Sequence, residues 1–171
     1  GKYNIYDGTK GPFKNSFFDI GGSFNVLEHV EDVSIFLNES KRVLKKNGHL
    51  VICSPNFMSI TNSFHYRTAG VIQKVLNIIL FTVKFLNFVF GTKPIFNKID
   101  PINQLGFRPD DATNLINPLD LFKWGKLNGM KLVHYSGSIL PKSYRSHFIG
   151  ELPLVNLFTG GTFIIFKKEH K

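Results

Sequence analysis

The feature that most constrains the fold of this chain is a strand–helix–strand pattern in its first third. Phe18–Asn25 reads as a short strand, a helical pattern begins after Asp32, and His49–Asn56 reads as a second, apolar strand. Tight connections between these segments predict a βαβ unit, which requires a parallel sheet and a right-handed crossover. Because ligands bind beyond the carboxyl ends of such strands, we expect a site near Phe24–His29 and Ser54–Asn56.

The helical segment is defined by an apolar stripe and by signals at both ends. The apolar residues that recur at helical spacing are Val33, Phe36, Leu37, Val43 and Leu44. Asp32 is expected to cap the amino terminus, and Gly48 is expected to end the helix in the left-handed conformation. Glu39, Lys41 and Arg42 fall on the opposite side, so we expect these three to form a solvated surface face.

Several short motifs follow one another in a single register along the same stretch. They are Asp7-Gly8, Gly11-Pro12-Phe13, Phe18-Asp19, Leu27-Glu28-His29-Val30, Arg42-Val43-Leu44-Lys45, Gly48 and Pro55-Asn56. Together these motifs resemble the class I S-adenosylmethionine-dependent methyltransferases, specifically the type 11 domain group. The resemblance implies an α/β, Rossmann-like methyltransferase sheet, methyl transfer as the activity and S-adenosylmethionine as the cofactor.

The resemblance also implies parts that the sequence lacks. Members of the group open with a strand and a glycine-rich turn for the cofactor, whereas this sequence contains no Gly-x-Gly-x-x-Gly and begins only six residues before Asp7. We therefore expect residues 1–171 to form one truncated domain, the carboxy-terminal portion of a methyltransferase with an incomplete sheet. Such a sheet would expose an edge beside Phe18–Asn25, and we expect the isolated chain to bind the cofactor weakly or not at all.

By the same resemblance, the candidate cofactor-binding residues are Asp7, Gly8, Ser23, Phe24 and Asn25. The carboxylate of Asp7 would accept a hydrogen bond from the adenine amino group, because an ionised carboxylate only accepts. The amide of Gly8 would meet an adenine ring nitrogen, and the backbone carbonyl of Phe24 would meet the methionine portion. The alternative for Asp7 is that it only shapes a turn beside Gly8.

His29 is the candidate catalytic residue. It follows the first strand at the cofactor edge, and imidazole is the side chain that exchanges protons near neutral pH. The alternative is a structural role, in which His29 bonds to backbone at the start of the helix. The only cysteine, Cys53, lies in an apolar strand and reads as a small buried side chain rather than a nucleophile. No metal site is expected, because three further histidines are isolated and have no companions at ligand spacing: His65, His134 and His147.

An aromatic and apolar insertion follows Pro55-Asn56, and we assign residues 57–116 to it. Within it, Val71–Phe90 is apolar around most of a helical wheel, which is more than a surface helix of a globular domain requires. Three interpretations remain open: a transmembrane span, an interfacial helix with Lys74 and Lys84 reaching outward, or a cap or dimer element buried on most sides. As a cap, its phenylalanines would suit a lipophilic or aromatic acceptor.

The last third of the sequence predicts one helix and two strands. Asn117 is expected to cap a helix that begins at Pro118 and ends before Gly129. Met130–Tyr135 and Thr162–Lys167 read as strands. The resemblance implies that the final strand runs antiparallel between its neighbours.

The chain is basic, with 21 Lys and Arg against 12 Asp and Glu and a net charge of +9. This balance fits nucleic acid, an anionic membrane surface or simple solubility, but the lysines are scattered and no nucleic-acid-binding pattern occurs, which disfavours nucleic acid. We expect a small-molecule or lipophilic acceptor and a cytoplasmic location, with peripheral membrane contact through Val71–Phe90 as a further expectation. The alternative function is a non-enzymatic module that binds a membrane interface or nucleic acid.

Overall fold

A computed structural model describes residues 9–59, 71–98, 113–137, 157 and 160–169 of the chain. Asp7 and Gly8 lie outside these ranges, so the adenine contacts expected of them stay predictions. Within the described ranges the chain forms three helices and six strands: β1 (Phe18–Phe24), α1 (Val33–Val43), β2 (Leu44–Pro55), α2 (Val71–Phe90), β3 (Asn97–Lys98), β4 (Asn114–Leu115), α3 (Pro118–Leu127), β5 (Met130–Ser136) and β6 (Gly161–Lys168).

The main sheet has four strands in the order β1-β2-β6-β5. β1 runs parallel to β2, with Phe24 opposite Cys53, so the predicted βαβ unit is confirmed. β6 runs antiparallel to both β2 and β5, which is the arrangement that the resemblance implies for the final strand. Among the described residues, β1 forms one edge of this sheet, and β3 pairs with β4 in a separate two-stranded sheet.

Helix α1 begins as predicted but ends earlier. The carboxylate of Asp32 accepts a hydrogen bond from the amide of Ile35 at 2.9 Å, which confirms the N-cap. The helix ends at Val43 rather than at Gly48, because Leu44 already pairs with Phe18 of β1. Pairing with a neighbouring strand therefore overrides the helical propensity of the residues that follow.

The prediction that Gly48 provides a left-handed helix stop is wrong. Asn47 has the left-handed φ of 63°, whereas Gly48 is needed because an added Cβ would lie 3.0 Å from the carbonyl oxygen of Asp19 in β1. At the end of α1, a residue far away in the sequence provides a hydrogen-bond donor for the backbone. Lys168 Nζ donates to the carbonyl of Lys41 at 2.8 Å. A side chain from the last strand thus replaces the local helix stop.

The prediction of a solvated outer face is wrong for Glu39, which is buried. Its carboxylate accepts hydrogen bonds from Arg42 Nε at 2.6 Å and from the amide of Gly11 at 2.7 Å. Arg42 also donates to the carbonyl of Phe13 at 2.8 Å and to Asn15 Oδ1 at 2.6 Å. The loop before β1 therefore folds back over α1, and this pair of charged side chains holds it there.

The main core lies between one face of the sheet and the helices α1 and α3. Along β2, buried residues such as Leu50 and Ile52 alternate with half-buried ones, as expected of a strand with one covered face. Trp124 of α3 packs edge-on against Phe166 of β6, with ring centroids 5.9 Å apart. Gly125 permits this contact, because an added Cβ would lie 2.5 Å from the Phe166 ring.

Helix α3 begins and ends as predicted. Asn117 Oδ1 accepts a hydrogen bond from the amide of Asp120 at 3.0 Å, and Pro118 occupies the first helical position. Gly129, with a φ of 65°, follows the helix and leads into β5. The two predicted final strands are also confirmed, each within two residues of its expected bounds.

Helix α2 has the predicted bounds, and its described side chains pack against other described residues on one side. Three apolar side chains on that side are packed against a small core cluster beside α3: Leu80, Phe81 and Phe88. Lys84 lies on the same side and is buried, so the expectation that its side chain reaches outward is wrong. In the described part of the chain, no helix is long and apolar enough to cross a membrane.

Candidate functional site

The candidate site lies where the two parallel strands β1 and β2 end side by side. The amide of Asn25 donates to the carbonyl of Cys53 at 2.8 Å, which continues the β1–β2 pairing by one residue. Asn25 then adopts a left-handed φ of 51°, and asparagine tolerates this conformation better than most residues. The chain therefore turns sharply away from the sheet at the edge where a ligand is expected.

Ser23 and Phe24, two predicted cofactor-binding residues, occupy opposite environments on β1. The hydroxyl of Ser23 is buried and makes no hydrogen bond within the described part of the chain. The ring of Phe24 is exposed, and it lies across Gly22, where an added Cβ would come within 2.7 Å of it. The position of the Phe24 ring gives the reason for a glycine at residue 22.

These residues fit a cofactor with both polar and aromatic parts. A buried hydroxyl without a partner costs free energy, which a ligand polar group could recover. On its outer side β1 pairs with no other described strand, so this hydroxyl and the Phe24 ring lie at a sheet edge. Ser23, Phe24 and Asn25 follow one another at the end of β1, whereas Asp7 and Gly8 lie outside the described residues.

Glu28 is a buried carboxylate at this strand end that the sequence analysis did not single out. Its Oε2 accepts a hydrogen bond from Ser54 Oγ at 3.1 Å, which links the ends of β1 and β2. Its backbone carbonyl accepts from the amides of Thr113 at 2.7 Å and Asn114 at 3.1 Å. The signal was present in the sequence, because Glu28 and Ser54 stand at matching ends of two predicted parallel strands.

His29, the candidate catalytic residue, lies beside this carboxylate. Its Nε2 is 3.8 Å from Glu28 Oε1, and its side chain is 38% exposed. Its backbone amide donates to the carbonyl of Val26 at 2.9 Å, a bond within the loop between β1 and α1 that does not distinguish the two roles. The geometry leaves the ring reachable from the site and beside a fixed carboxylate, so a role as proton acceptor stays a prediction.

Two asparagines hold the loops around the site. Asn114 Nδ2 donates to the carbonyl of Val30 at 2.6 Å, which fixes the loop between β1 and α1. Asn56, from the Pro55-Asn56 motif, donates through Nδ2 to the carbonyl of Leu157 at 2.8 Å and accepts from the amide of Met58 at 3.0 Å. Both side chains are buried, so they order backbone rather than face a ligand.

Cys53 is half-buried beside the site and is poorly suited to act as a nucleophile. Burial, together with the nearby Glu28 carboxylate, raises the pKa of its thiol. The reactive thiolate is therefore scarce at neutral pH. Within the described ranges, no three residues of the His, Cys, Asp and Glu types come together as a metal site would require.

Comparisons of sequence identify a known domain type in the first third of the chain. Residues 2–52 match a family model described as a methyltransferase domain. An uncharacterized protein from Methanocaldococcus jannaschii is 32% identical over 85 residues, which are 50% of this chain and 37% of that protein. The chain thus covers well under two thirds of the curated relative that it matches.

Comparisons of structure extend the likeness to almost the whole chain. An S-adenosylmethionine-dependent methyltransferase from Mesorhizobium loti matches 96% of this chain and 68% of its own, with a TM-score of 0.55 and 13% identity. A proposed enzyme of the same kind from Listeria monocytogenes matches 92% and 64%, with a TM-score of 0.56 and 8% identity. At these identities the likeness establishes the fold, an α/β Rossmann-like methyltransferase sheet.

Proposed function

Because this chain has the fold of the class I S-adenosylmethionine-dependent methyltransferases and matches their domain model over residues 2–52, we propose that it serves in S-adenosylmethionine-dependent methyl transfer. The observation that supports this most directly is the paired end of β1 and β2, where Phe24 lies opposite Cys53. The Ser23 hydroxyl, which is buried and makes no hydrogen bond with the described residues, lies at the same edge as the buried Glu28 carboxylate.

In this proposal the end of β1 holds the cofactor. The Ser23 hydroxyl supplies a hydrogen bond, the carbonyl of Phe24 receives the methionine portion, and the left-handed turn at Asn25 keeps the backbone clear of the ligand. Once bound, S-adenosylmethionine would supply a methyl group carried on a positively charged sulfur.

The chain then contributes mainly alignment. Methyl transfer from a sulfonium needs little acid–base help. Positioning of the acceptor against the methyl group can supply roughly 7–11 kcal/mol of the barrier reduction. When the acceptor is a hydroxyl or a similar group, its proton must leave, and His29 would take it. Glu28, fixed by Ser54, would act as a positioning residue that orients the His29 ring.

The acceptor in this proposal is a small molecule with a lipophilic or aromatic part, or a lipid-linked one. The supporting observation is an apolar cluster just beyond the end of β2, formed by Met58, Leu119 and Leu157. Side chains from α2 are packed against this cluster, so the insertion would form an apolar wall beside the site. Residues 57–116 would then act as the acceptor-binding cap of a single domain.

Cofactor binding tests the proposal with two matched substitutions. Ser23 and Thr162 each carry a buried hydroxyl without a hydrogen bond in the described part of the chain, but only Ser23 belongs to the proposed cofactor site. Equilibrium dialysis of labelled S-adenosylmethionine would use the product of the uninterrupted reading frame that contains residues 1–171. Ser23→Ala should weaken binding by about 2- to 10-fold, the value of one ordinary hydrogen bond, and Thr162→Val should leave it unchanged.

The proposal fails if the unsubstituted protein shows no saturable binding of S-adenosylmethionine. Equal effects of Ser23→Ala and Thr162→Val would remove the assignment of the cofactor to the end of β1. A Trp124 emission spectrum that matches the unsubstituted protein would show that each variant is folded, because Trp124 is the only tryptophan and is buried in the core.

A further inference from the structure

The outward side of α2 is an apolar surface of unusual width. Nine of its apolar side chains are between 45% and 79% exposed: Val75, Leu76, Ile78, Ile79, Val83, Phe85, Leu86, Val89 and Phe90. Counted at 100° per residue, these nine and Thr82 fill a continuous arc of about 180°. Scattered single apolar residues are normal on protein surfaces, but a contiguous face of this size marks an interaction site.

The outward arc of α2 contains no charged residue, because Lys84 lies on the opposite side of the helix. Lys84 lies at the centre of the inward side, where its Nζ is 2.7 Å from Asp120 Oδ2 and both side chains are buried. An ordinary amphipathic helix buries its apolar side and exposes its lysines, and α2 does the reverse. The outward side therefore needs an apolar environment that the described chain does not provide.

The surface also has no polar group that requires water. Thr82 is the single residue within the arc that is not apolar, and its hydroxyl donates to the carbonyl of Ile78 at 2.9 Å within the same helix. Such a bond satisfies the hydroxyl internally, as threonine often does in helices that face lipid. Insertion of this side into an apolar phase would thus leave no donor unpaired.

We propose that the outward side of α2 docks the protein on an anionic lipid bilayer, with the helix parallel to the membrane plane. The shape of the surface favours lipid over a second copy of the chain. Two helices bury a stripe along their line of contact and leave the flanks of a half-cylinder exposed, whereas fluid lipid can surround the whole arc.

Charge favours the same occupant. The chain has a net charge of +9, and residues 71–98 contain no acidic residue and three lysines besides the buried Lys84. Lys93 lies beside the last turn of α2, because its carbonyl accepts a hydrogen bond from Asn87 Nδ2 at 3.1 Å, and its side chain is exposed. A positive chain is attracted to anionic headgroups, whereas two copies of it repel each other.

Vesicle flotation with matched double variants tests this docking. Val83→Asp with Leu86→Asp places two charges in the apolar arc. Leu132→Asp with Val133→Asp places two charges on the edge strand β5, at side chains that are 43% and 54% exposed, compared with 49% for Leu86 and 53% for Val83. The probes are phosphatidylcholine vesicles with and without phosphatidylserine.

We expect the unsubstituted chain to float with the phosphatidylserine vesicles and less with phosphatidylcholine alone. The α2 variant should partition at least about tenfold more weakly, because each buried aliphatic side chain contributes substantially to insertion, and the β5 variant should float like the unsubstituted chain. If the aspartate variant does not fold by its Trp124 emission, Val83→Ser with Leu86→Ser carries the same test.

Three outcomes would overturn the proposal. The first is no flotation of the unsubstituted chain. The second is flotation that the α2 variant leaves unchanged, which would mean that the lysines alone bind the vesicle. The third is a dimer in sedimentation velocity that the α2 variant dissociates, which would identify a second copy as the occupant. None of these outcomes bears on S-adenosylmethionine binding, so the proposed function is tested separately.

Discussion

The buried ion pair between α2 and α3 allows a sharp prediction about stability. Lys84 and Asp120 are 2% and 1% exposed, with Nζ and Oδ2 2.7 Å apart. Asp120 is also held by the amide of Ile95 at 3.1 Å and by Asn117 Nδ2 at 2.7 Å. Removal of one partner would leave a charge that is buried and only partly compensated, and such losses cost about 3–5 kcal/mol.

We expect the two single substitutions to differ in size. Asp120→Asn leaves the Lys84 ammonium beside a neutral amide and should cost about 3–5 kcal/mol of unfolding free energy. Lys84→Met should cost less, about 2–3 kcal/mol, because two hydrogen bonds to the Asp120 carboxylate remain. The loss of unfolding free energy in the double variant should be smaller than the sum of the two single losses, because neither remaining side chain is charged.

A surface pair provides the control. Lys45 Nζ lies 2.9 Å from Asp19 Oδ2, but these side chains are 47% and 79% exposed, so Lys45→Met should change the unfolding free energy by about 0–1 kcal/mol. Urea unfolding followed by Trp124 fluorescence would measure all four variants. A cost for Lys84→Met no larger than that for Lys45→Met, or fully additive costs in the double variant, would refute the account of how α2 is held.

Two further predictions concern the loop before β1 and Gly48 within β2. Hydrogen bonds from Arg42 hold the pKa of the Glu39 carboxyl below its ordinary value of 4.5. Glu39→Gln should therefore lower the urea midpoint of unfolding at neutral pH. The difference in midpoint from the unsubstituted chain should shrink as the pH falls below 4.5 and through the lower pKa of the folded state. A difference that does not change with pH would contradict this. Gly48→Ala should lower the free energy of unfolding by about 1–3 kcal/mol through overpacking. Gly21→Ala should lower it less, because its added Cβ would lie 3.6 Å from Leu44. Equal losses of stability in thermal unfolding would contradict this.

The parts of the fold that were predictable depend on local chemistry. Asp32 and Asn117 cap their helices with side chains that bond to amides three residues ahead, so a short window of sequence was sufficient. The pairing of β1 with β2 followed from the length and order of the segments between them, since a short strand, a helix and a strand have few alternatives.

The parts that were not predictable depend on partners far away in the sequence. Glu39 is buried because Gly11, 28 residues earlier, folds onto it, and α1 ends early with help from Lys168, 127 residues after the carbonyl that it bonds. Lys84 turns inward because Asp120 lies 36 residues later. No periodicity within a helix could indicate these contacts.

The candidate site, like the fold, was predicted only in part from the sequence. The parallel pairing predicted that the strand ends near Phe24–His29 and Ser54–Asn56 meet, and the structure places Phe24 opposite Cys53 at that end. The burial of Glu28 was missed, although Glu28 and its partner Ser54, 26 residues later, stand at matching ends of two strands that were predicted to be parallel. The roles of Ser23, Asn25 and His29 stay predictions.

The most direct test of the central claim is photo-crosslinking of labelled S-adenosylmethionine, followed by mapping of the labelled peptide. The protein would be the product of the uninterrupted reading frame that contains this chain. If the carboxyl end of β1 holds the cofactor, the label should appear on residues 23–29 and should disappear with excess unlabelled S-adenosylmethionine. Label confined to other residues, or label that excess cofactor does not displace, would contradict the account.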